Sequence, residues 1–144
     1  MDDVARYKWN HELAIADAGR EAALLDRATA AAVALGLPEA YARRVLAAQI
    51  DASRRLQTEL FTTWRQRQQP VFVGVPDLAG VQRPAIDAAT QQLLEHLHAS
   101  LCALTHDEAR AELTTPPQSF DQHPTAWTIA TDALWPVPDN VCPP

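Results

Sequence analysis

The sequence has few cysteines, no excess of positive charge and no long apolar run, and each shortage excludes a class of function. Cys102 and Cys142 are the only cysteines among 144 residues, too few and too far apart for a zinc site with paired cysteines. A net charge of −6 argues against a broad nucleic-acid surface, although a few converging cations can still bind a small anion. No apolar run is long enough to cross a bilayer. We therefore expect no metal, no cofactor, no nucleic-acid partner and no membrane partner.

Glycine and proline are also scarce in the first half of the chain. Only four glycines occur in the whole sequence, and Pro38 is the single proline before Pro70. Alanine, leucine, arginine and glutamine dominate this stretch, and that composition favours α-helix. Gly36-Leu37-Pro38 interrupts it with a glycine that stops one helix and a proline that can open the next. We predict two long helices that meet there in a tight turn.

After Pro70 the pattern predicts a crossover and then a core helix. The stretch from Pro70 to Pro76 looks extended but has no convincing strand partner, so we interpret it as a loop. Pro84 can begin the next helix. Its apolar residues at helical spacing are Ile86, Leu93, Leu94, Leu97, Leu101 and Leu104.

Two shorter helices are predicted towards the C-terminus. Thr105 and Glu108 have the spacing of a capping box, which would open a helix that runs to about Thr114. Pro124 can begin a last helix that carries Trp127, Leu134 and Trp135. Together the patterns predict an all-α bundle of about five to six helices in one domain. Its parts are a first group of helices (1–67), a proline-rich crossover (68–82) and a C-terminal group (83–144).

Polar residues interrupt the buried side of the two long helices. In the helix after Pro38, the alternating four-and-three spacing of a buried seam runs through Leu46, Ile50, Ser53, Gln57, Leu60 and Trp64. The helix before Gly36 has its polar residues at its N-terminal end, where Asp17, Arg20 and Glu21 lie. Antiparallel packing across the turn would bring that end close to the two polar residues of the seam.

Lys8 lies upstream of both helices. Its neighbours Val4, Tyr7 and Trp9 would bury the stem of the side chain and fix the position of its ammonium group. Converging charges cannot be buried without partners, because an unpaired buried charge costs several kcal/mol or more. Either these groups neutralise one another or face solvent, with Gln57 setting helix register, or they line a ligand pocket with a cationic bias.

Other polar residues favour plainer interpretations. The pairs Arg43-Arg44 and Arg54-Arg55 are most simply a solvated helix face, and the alternative is that they border the entry route of an anion. Glu95 and His98 have helical spacing, but no third ligand follows in pattern, so we do not expect a metal there.

Several of these elements together resemble the exported subclass of the all-helical chorismate mutases. The matching segments are Val4-Ala5-Arg6-Tyr7-Lys8-Trp9, Asp17-Ala18-Gly19-Arg20-Glu21, Gln49-Ile50 with Ser53 and Gln57, Trp64, and Arg83-Pro84-Ala85-Ile86-Asp87. The resemblance covers roughly the first ninety residues in good register and the rest more weakly. It implies the helical bundle of that family and the rearrangement of chorismate to prephenate.

The resemblance also implies a role for each candidate residue. Lys8 and Gln57 would hydrogen-bond the ether oxygen whose bond to carbon breaks, with Arg20 and Arg83 holding carboxylates. Such a reaction needs no nucleophile, metal or proton transfer, so the protein would grip the reactive diaxial conformer and stabilise charge on the ether oxygen.

The remaining candidates lie at the substrate's periphery in this interpretation. Asp17 and Ser53 would assist there, and Glu21 would accept a hydrogen bond from the ring hydroxyl. Some relatives carry a glutamate at the position of Gln57, which must be protonated to donate. A glutamine donates at any pH, so we predict activity that is flat from mildly acidic to neutral pH.

Two departures from the family pattern concern the start of the chain and the cysteines. Members of the family carry an arginine about three turns of helix before the lysine, roughly 16 Å away, and that position falls before Met1. A truncated chain, a misplaced start or a cation from elsewhere would explain this, and without a replacement both binding and catalysis should be weakened. Exported relatives often have a disulfide in the C-terminal half, but Cys102 does not fall clearly on its first position. Cys102 and Cys142 are therefore either a disulfide that ties the tail to the body or two buried thiols.

The resemblance further implies a homodimer whose pocket forms within each chain, with Arg83 making that possible. It also implies a periplasmic or secreted location, although Met1 is followed by Asp2 and Asp3 rather than by an export signal. Two other functions stay open: an isochorismate pyruvate lyase of the same fold, and a helical binding or effector module that has lost turnover.

Overall fold

The computed structural model describes residues 1–138, and within this range all regular structure is helical. The six α-helices are α1 (Asp2–Asn10), α2 (Ala18–Ala34), α3 (Glu39–Gln66), α4 (Arg83–Ser100), α5 (Asp107–Thr114) and α6 (Pro124–Asp132). A π-helical turn at Leu78–Gln82 and 3-10 turns at Ala103–Thr105 and Gln118–Phe120 join them. The predicted all-α architecture is confirmed. Cys142, whose pairing with Cys102 the sequence left open, lies outside the described residues.

The turn between α2 and α3 sets the antiparallel pairing of the two long helices. Gly36 has a φ of +94°, a left-handed conformation that favours glycine. The amides of Gly36 and Leu37 donate to the carbonyls of Val33 and Ala32, at 2.9 and 3.0 Å, and so end α2. The predicted tight turn is confirmed. It places the start of α2 beside the middle of α3.

Small buried side chains allow α2 and α3 to approach each other closely. Ala28 and Ala32 on α2 pack with Tyr41, Ala42 and Val45 on α3 in the larger of two buried clusters. This cluster fills the end of the bundle nearest the turn. The other end of the helix pair is therefore where a cavity can open.

Aromatic packing fixes α1 against the far end of α3. Trp9 contacts Phe61 and Trp64 edge-on, with ring centroids 5.3 and 5.6 Å apart. The Asn10 side chain donates to the carbonyl of Phe72 and accepts from its amide, both at 2.8 Å, which ties the crossover to α1. These contacts hold α1 in the orientation that turns Lys8 towards the interior.

The crossover and α4 differ from the prediction in their boundaries. The chain is irregular as far as Asp77, but the last part of the predicted crossover forms the π-helical turn Leu78–Gln82. The core helix then begins at Arg83 and ends at Ser100. Leu101 and Leu104 are buried as predicted, although both lie beyond its end.

Two further predictions about the C-terminal helices are wrong. No capping box forms, because α5 begins at Asp107 and the hydroxyl of Thr105 instead donates to the carbonyl of Cys102 at 2.7 Å. The last helix ends at Asp132, so Leu134 and Trp135 lie beyond it.

Within residues 1–138, no helix is both long and apolar enough to cross a membrane.

Candidate active site

A cavity of about 590 Å³ lies between α1, α2, α3 and the start of α4. Its walls are largely apolar, with a group of polar and charged side chains among them. That group includes all the site residues that the sequence predicted: Lys8, Asp17, Arg20, Glu21, Ser53, Gln57 and Arg83. The antiparallel pairing of α2 and α3 brings the polar start of α2 against Ser53 and Gln57, while Lys8 comes from α1 and Arg83 from α4.

Lys8 projects into the cavity from the last turn of α1, where its ammonium group donates to the carbonyl of Ile15. Burial lowers its pKa below the usual lysine value, and the nearby carboxylates of Glu21 and Asp17 oppose that shift. An ammonium has three N–H donors. The contact with Ile15 therefore leaves Lys8 with donors for a ligand.

Gln57 is the most deeply buried of the predicted site residues, with 3% of its surface exposed. Its Nε2 donates to the carbonyl and the hydroxyl of Ser53, at 3.2 and 3.0 Å. Its Oε1 is buried and has no partner among the described residues. A half-turn of the amide exchanges the two ends, so this side chain can present either a donor or an acceptor to a ligand.

Two guanidinium groups with free donors reach the cavity from different helices. Arg20 comes from the first turn of α2, and Arg83 is the first residue of α4. Arg20 Nη2 and Arg83 Nε are both buried and without a hydrogen-bond partner among the described residues. A buried donor left unpaired costs about 1–3 kcal/mol, and more when it is charged. An anion bound in the cavity would remove that cost.

Asp17 and Ser53 also have structural partners. Asp17 caps α2, because its Oδ1 accepts from the amide of Arg20 at 3.1 Å. The hydroxyl of Ser53 lies 3.3 Å from the sulfur of Met1, which also lines the cavity. These contacts hold the two side chains at the edge of the cavity.

Arg54, for which the sequence favoured a solvated helix face over a place on the entry route of an anion, is 42% exposed and also lines the cavity. It pairs with Glu21 across the two long helices. Arg54 Nε donates to Glu21 Oε1 at 3.1 Å, while Nη2 donates to Oε2. This pair holds the pKa of Glu21 below its ordinary value, chiefly through the hydrogen bond from Arg54. The predicted antiparallel register placed Glu21 near Ser53, and therefore near Arg54. The opposite charges of Glu21 and Arg54 could have identified this pair from the sequence.

The cavity therefore combines an apolar lining with several cationic donors. Lys8, Arg20 and Arg83 supply N–H groups, and Gln57 supplies a neutral amide. The carboxylate of Glu21 is the counter-charge of Arg54. Such an arrangement suits a small, mostly apolar ligand that carries more than one negative group.

Comparisons with known proteins identify the family of the chain. Residues 1–58 match the family described as chorismate mutase type II. A secreted chorismate mutase of Mycobacterium tuberculosis is 28% identical over 139 residues, which are 92% of this chain and 69% of that protein. The crystal structure of a chorismate mutase from Burkholderia thailandensis has a TM-score of 0.77 and 34% identity, covering 92% of this chain and 87% of that one. From its sequence and its fold, the chain belongs to the chorismate mutase type II family.

Proposed function

We propose that this protein is a chorismate mutase that rearranges chorismate to prephenate. The observation that carries this proposal is the pair of unpartnered buried guanidinium donors, on Arg20 and Arg83, that face one cavity with Lys8 and Gln57. Chorismate has two carboxylates for the guanidinium groups and an ether oxygen for the other two donors. A largely apolar lining suits its ring and side chain.

Restraint of the substrate is the first part of the proposed mechanism. Arg20 and Arg83 approach from different helices, so each can hold one carboxylate of the substrate. Held at both ends, chorismate adopts the folded conformer in which the two carbons that will bond lie close together. This converts a rare conformer into the bound one, which lowers the entropic part of the barrier.

Electrostatic stabilisation is the second part. As the carbon–oxygen bond breaks, negative charge grows on the ether oxygen, and Lys8 with Gln57 donates hydrogen bonds to it. The Gln57 amide makes a half-turn to do so, which also frees its oxygen to accept from Ser53. Enzyme rate enhancements begin at about a millionfold, or about 8 kcal/mol, which a charge-assisted contact plus restraint can approach. Asp17 and Ser53 complete the polar edge of the site.

The test is product analysis with purified protein. We expect prephenate from chorismate, and no pyruvate or salicylate from isochorismate. Arg83→Ala should raise KM and lower kcat because one carboxylate loses its partner. Arg43→Ala is the matched control, since Arg43 is an exposed arginine that pairs with Asp26 away from the cavity. Pyruvate release from isochorismate would instead favour a lyase, and ligand binding without turnover would favour a binding module.

We further propose one domain over 1–144 that acts as an exported homodimer, with a pocket formed within each chain. The support for the pocket is that a single chain already brings Lys8, Arg20, Gln57 and Arg83 to one cavity. The support for export is the relative described as secreted. Detection of the protein outside the cytoplasm of its native cell tests the second proposal, and retention of all of it in the cytoplasm would contradict that proposal.

A further inference from the structure

We infer that Arg54 is a positioning residue of this cavity, which holds the carboxylate of Glu21 in the orientation that receives the substrate's ring hydroxyl. The inference rests on the proposed function and extends it to a residue outside the predicted site. Arg54 differs from Arg20 and Arg83, two other arginines that line the cavity, in its hydrogen-bond partners.

All three nitrogens of the Arg54 guanidinium already have carboxylate partners. Nε and Nη2 contact the two oxygens of Glu21, and Nη1 contacts Asp51 Oδ1 at 3.2 Å. Arg20 and Arg83, in contrast, each keep a buried donor without a partner. Arg54 is therefore arranged to hold a protein carboxylate, while Arg20 and Arg83 are arranged to hold a ligand's.

The contacts of Glu21 leave one of its oxygens able to accept from a ligand. Oε1 accepts from Arg54 Nε and also from the amide of Asp17, at 3.1 and 3.2 Å. The hydrogen bonds described for Oε2 come only from Arg54. A carboxylate oxygen has about two acceptor positions, so Oε2 has one to spare. The side chain is 17% exposed, which is enough for contact with a small molecule in the cavity.

The hydroxyl is the group of the substrate that fits this acceptor. Chorismate at neutral pH has two carboxylates, an ether oxygen and one hydroxyl, and only the hydroxyl can donate a hydrogen bond. The carboxylate of Asp17 is engaged in capping α2, which leaves Glu21 as the better acceptor. Its counter-charge on Arg54 also limits repulsion between Glu21 and the substrate's own carboxylates.

Loss of Arg54 would also affect Lys8. Glu21 acts on Lys8 through its charge even in the presence of Arg54. Without the two contacts from Arg54, the carboxylate is free to turn towards the ammonium group and compete with the ether oxygen for its donors. We therefore expect both looser binding of the hydroxyl and weaker catalysis.

The chain contains a matched control on the next residue of the same helix. Arg55 pairs with Glu59 through Nε at 2.6 Å and has a similar exposure, 50% against 42% for Arg54. Arg55 does not line the cavity. Arg55→Met thus removes an arginine and an ion pair from α3 and leaves the site untouched.

The experiment measures kcat and KM for the full chain with chorismate and with the analogue in which hydrogen replaces the ring hydroxyl. Arg54→Met should lower kcat/KM for chorismate by roughly 10- to 100-fold, the usual effect of losing a hydrogen bond to a charged group. It should lower kcat/KM for the analogue by a clearly smaller factor, because the analogue has no hydroxyl for Glu21 to accept from and shares only the effect on Lys8. Arg54→Lys should recover part of the loss, since a lysine keeps the charge without the two-point contact. Arg55→Met should leave kcat/KM unchanged for both substrates.

Equal losses of kcat/KM with both substrates in Arg54→Met would overturn the inference and indicate a purely structural role for Arg54. No loss of kcat/KM with either substrate would overturn it as well. If Arg54→Met does not fold by circular dichroism, Arg54→Gln takes its place under the same comparison. Absence of prephenate with the unmodified chain would instead contradict the proposed function itself, and the inference with it.

Discussion

Among single residues, Gln57 gives the clearest prediction, which concerns the pH dependence of activity. It is buried beside Ser53, and its amide has no titratable proton, so its capacity to donate does not change with pH. We predict that kcat/KM of the unmodified protein is flat from about pH 5 to about pH 7.5, because an amide does not titrate in that range. A steep loss of turnover within that range would contradict the role given to Gln57.

Gln57→Glu should make the same reaction depend on pH. The new carboxyl would be buried, which raises its pKa, and only its protonated form can donate to the ether oxygen. Activity should therefore be present at acidic pH and fall as the pH rises through that raised pKa. The measurement is the pH profile of kcat/KM for both proteins. A flat profile for the variant would show that position 57 does not donate in the transition state.

Lys8 permits a second test at this scale, because it is the only lysine in the sequence. Burial lowers its pKa, so its ammonium group should lose a proton at lower pH than an exposed lysine does. A protein labelled with 13C at lysine gives one side-chain signal, whose titration by NMR reports this pKa directly. We expect a midpoint below the ordinary lysine value. A midpoint at or above that value would mean that the ammonium group is not desolvated in the cavity.

Only part of the site could be predicted from the sequence. Helical register predicted that the polar start of α2 lies near Ser53 and Gln57, whereas the roles of Lys8, Arg20 and Gln57 in one site were implied by the resemblance to a family. Arg54 was not predicted as part of the site, because its partner Glu21 lies 33 positions away and the pairing exists only once α2 and α3 have packed. The local sequence around Arg54 is indistinguishable from an exposed helix face.

At the scale of elements, the α2–α3 hairpin is the feature on which the cavity depends. Its turn was predictable because glycine followed by proline is a local signal. The ends of the last helices were not, because long-range contacts decide them. Trp135 Nε1 donates to the carbonyl of Leu104 at 2.9 Å, and Tyr41 donates to the carbonyl of Leu134 at 3.2 Å, and both contacts hold the chain after α6 in a non-helical path.

Gly36→Ala tests the hairpin turn. A Cβ at this position would lie 3.7 Å from the His98 ring, an ordinary contact, so the expected cost comes from the left-handed backbone. We predict a loss of about 1–2 kcal/mol in the free energy of unfolding, measured by urea denaturation. Gly19→Ala, in the first turn of α2 with open space around it, is the control and should slightly raise that free energy. Equal effects of the two substitutions would show that the turn does not need its glycine.

At the scale of the whole molecule, the bundle explains how one chain can build a complete pocket. One wall of the cavity is α1, which aromatic contacts hold in place. The α2–α3 pair forms another, and the crossover leads to α4, whose first residue, Arg83, lines the cavity. The fold class followed from composition and from the spacing of glycine and proline. The assembly of these walls around one cavity follows from tertiary packing, which local patterns do not encode.

The proposed homodimer is testable at this scale without reference to catalysis. Light scattering coupled to size-exclusion chromatography should give twice the mass of the chain at micromolar concentration. A mass equal to one chain would contradict the dimer, and it would leave the proposed reaction possible because one chain already brings Lys8, Arg20, Gln57 and Arg83 to one cavity.

The most direct test of the account is a crystal structure of this protein with a bicyclic dicarboxylic ether that mimics the transition state, a class of ligand that binds more tightly than substrate. We predict that the ether oxygen lies within hydrogen-bond distance of Lys8 Nζ and of the side-chain amide of Gln57. The two carboxylates should contact Arg20 and Arg83, each of which has one buried donor without a partner among residues 1–138. A ligand bound elsewhere, or in this cavity with its ether oxygen turned away from both Lys8 and Gln57, would contradict the account.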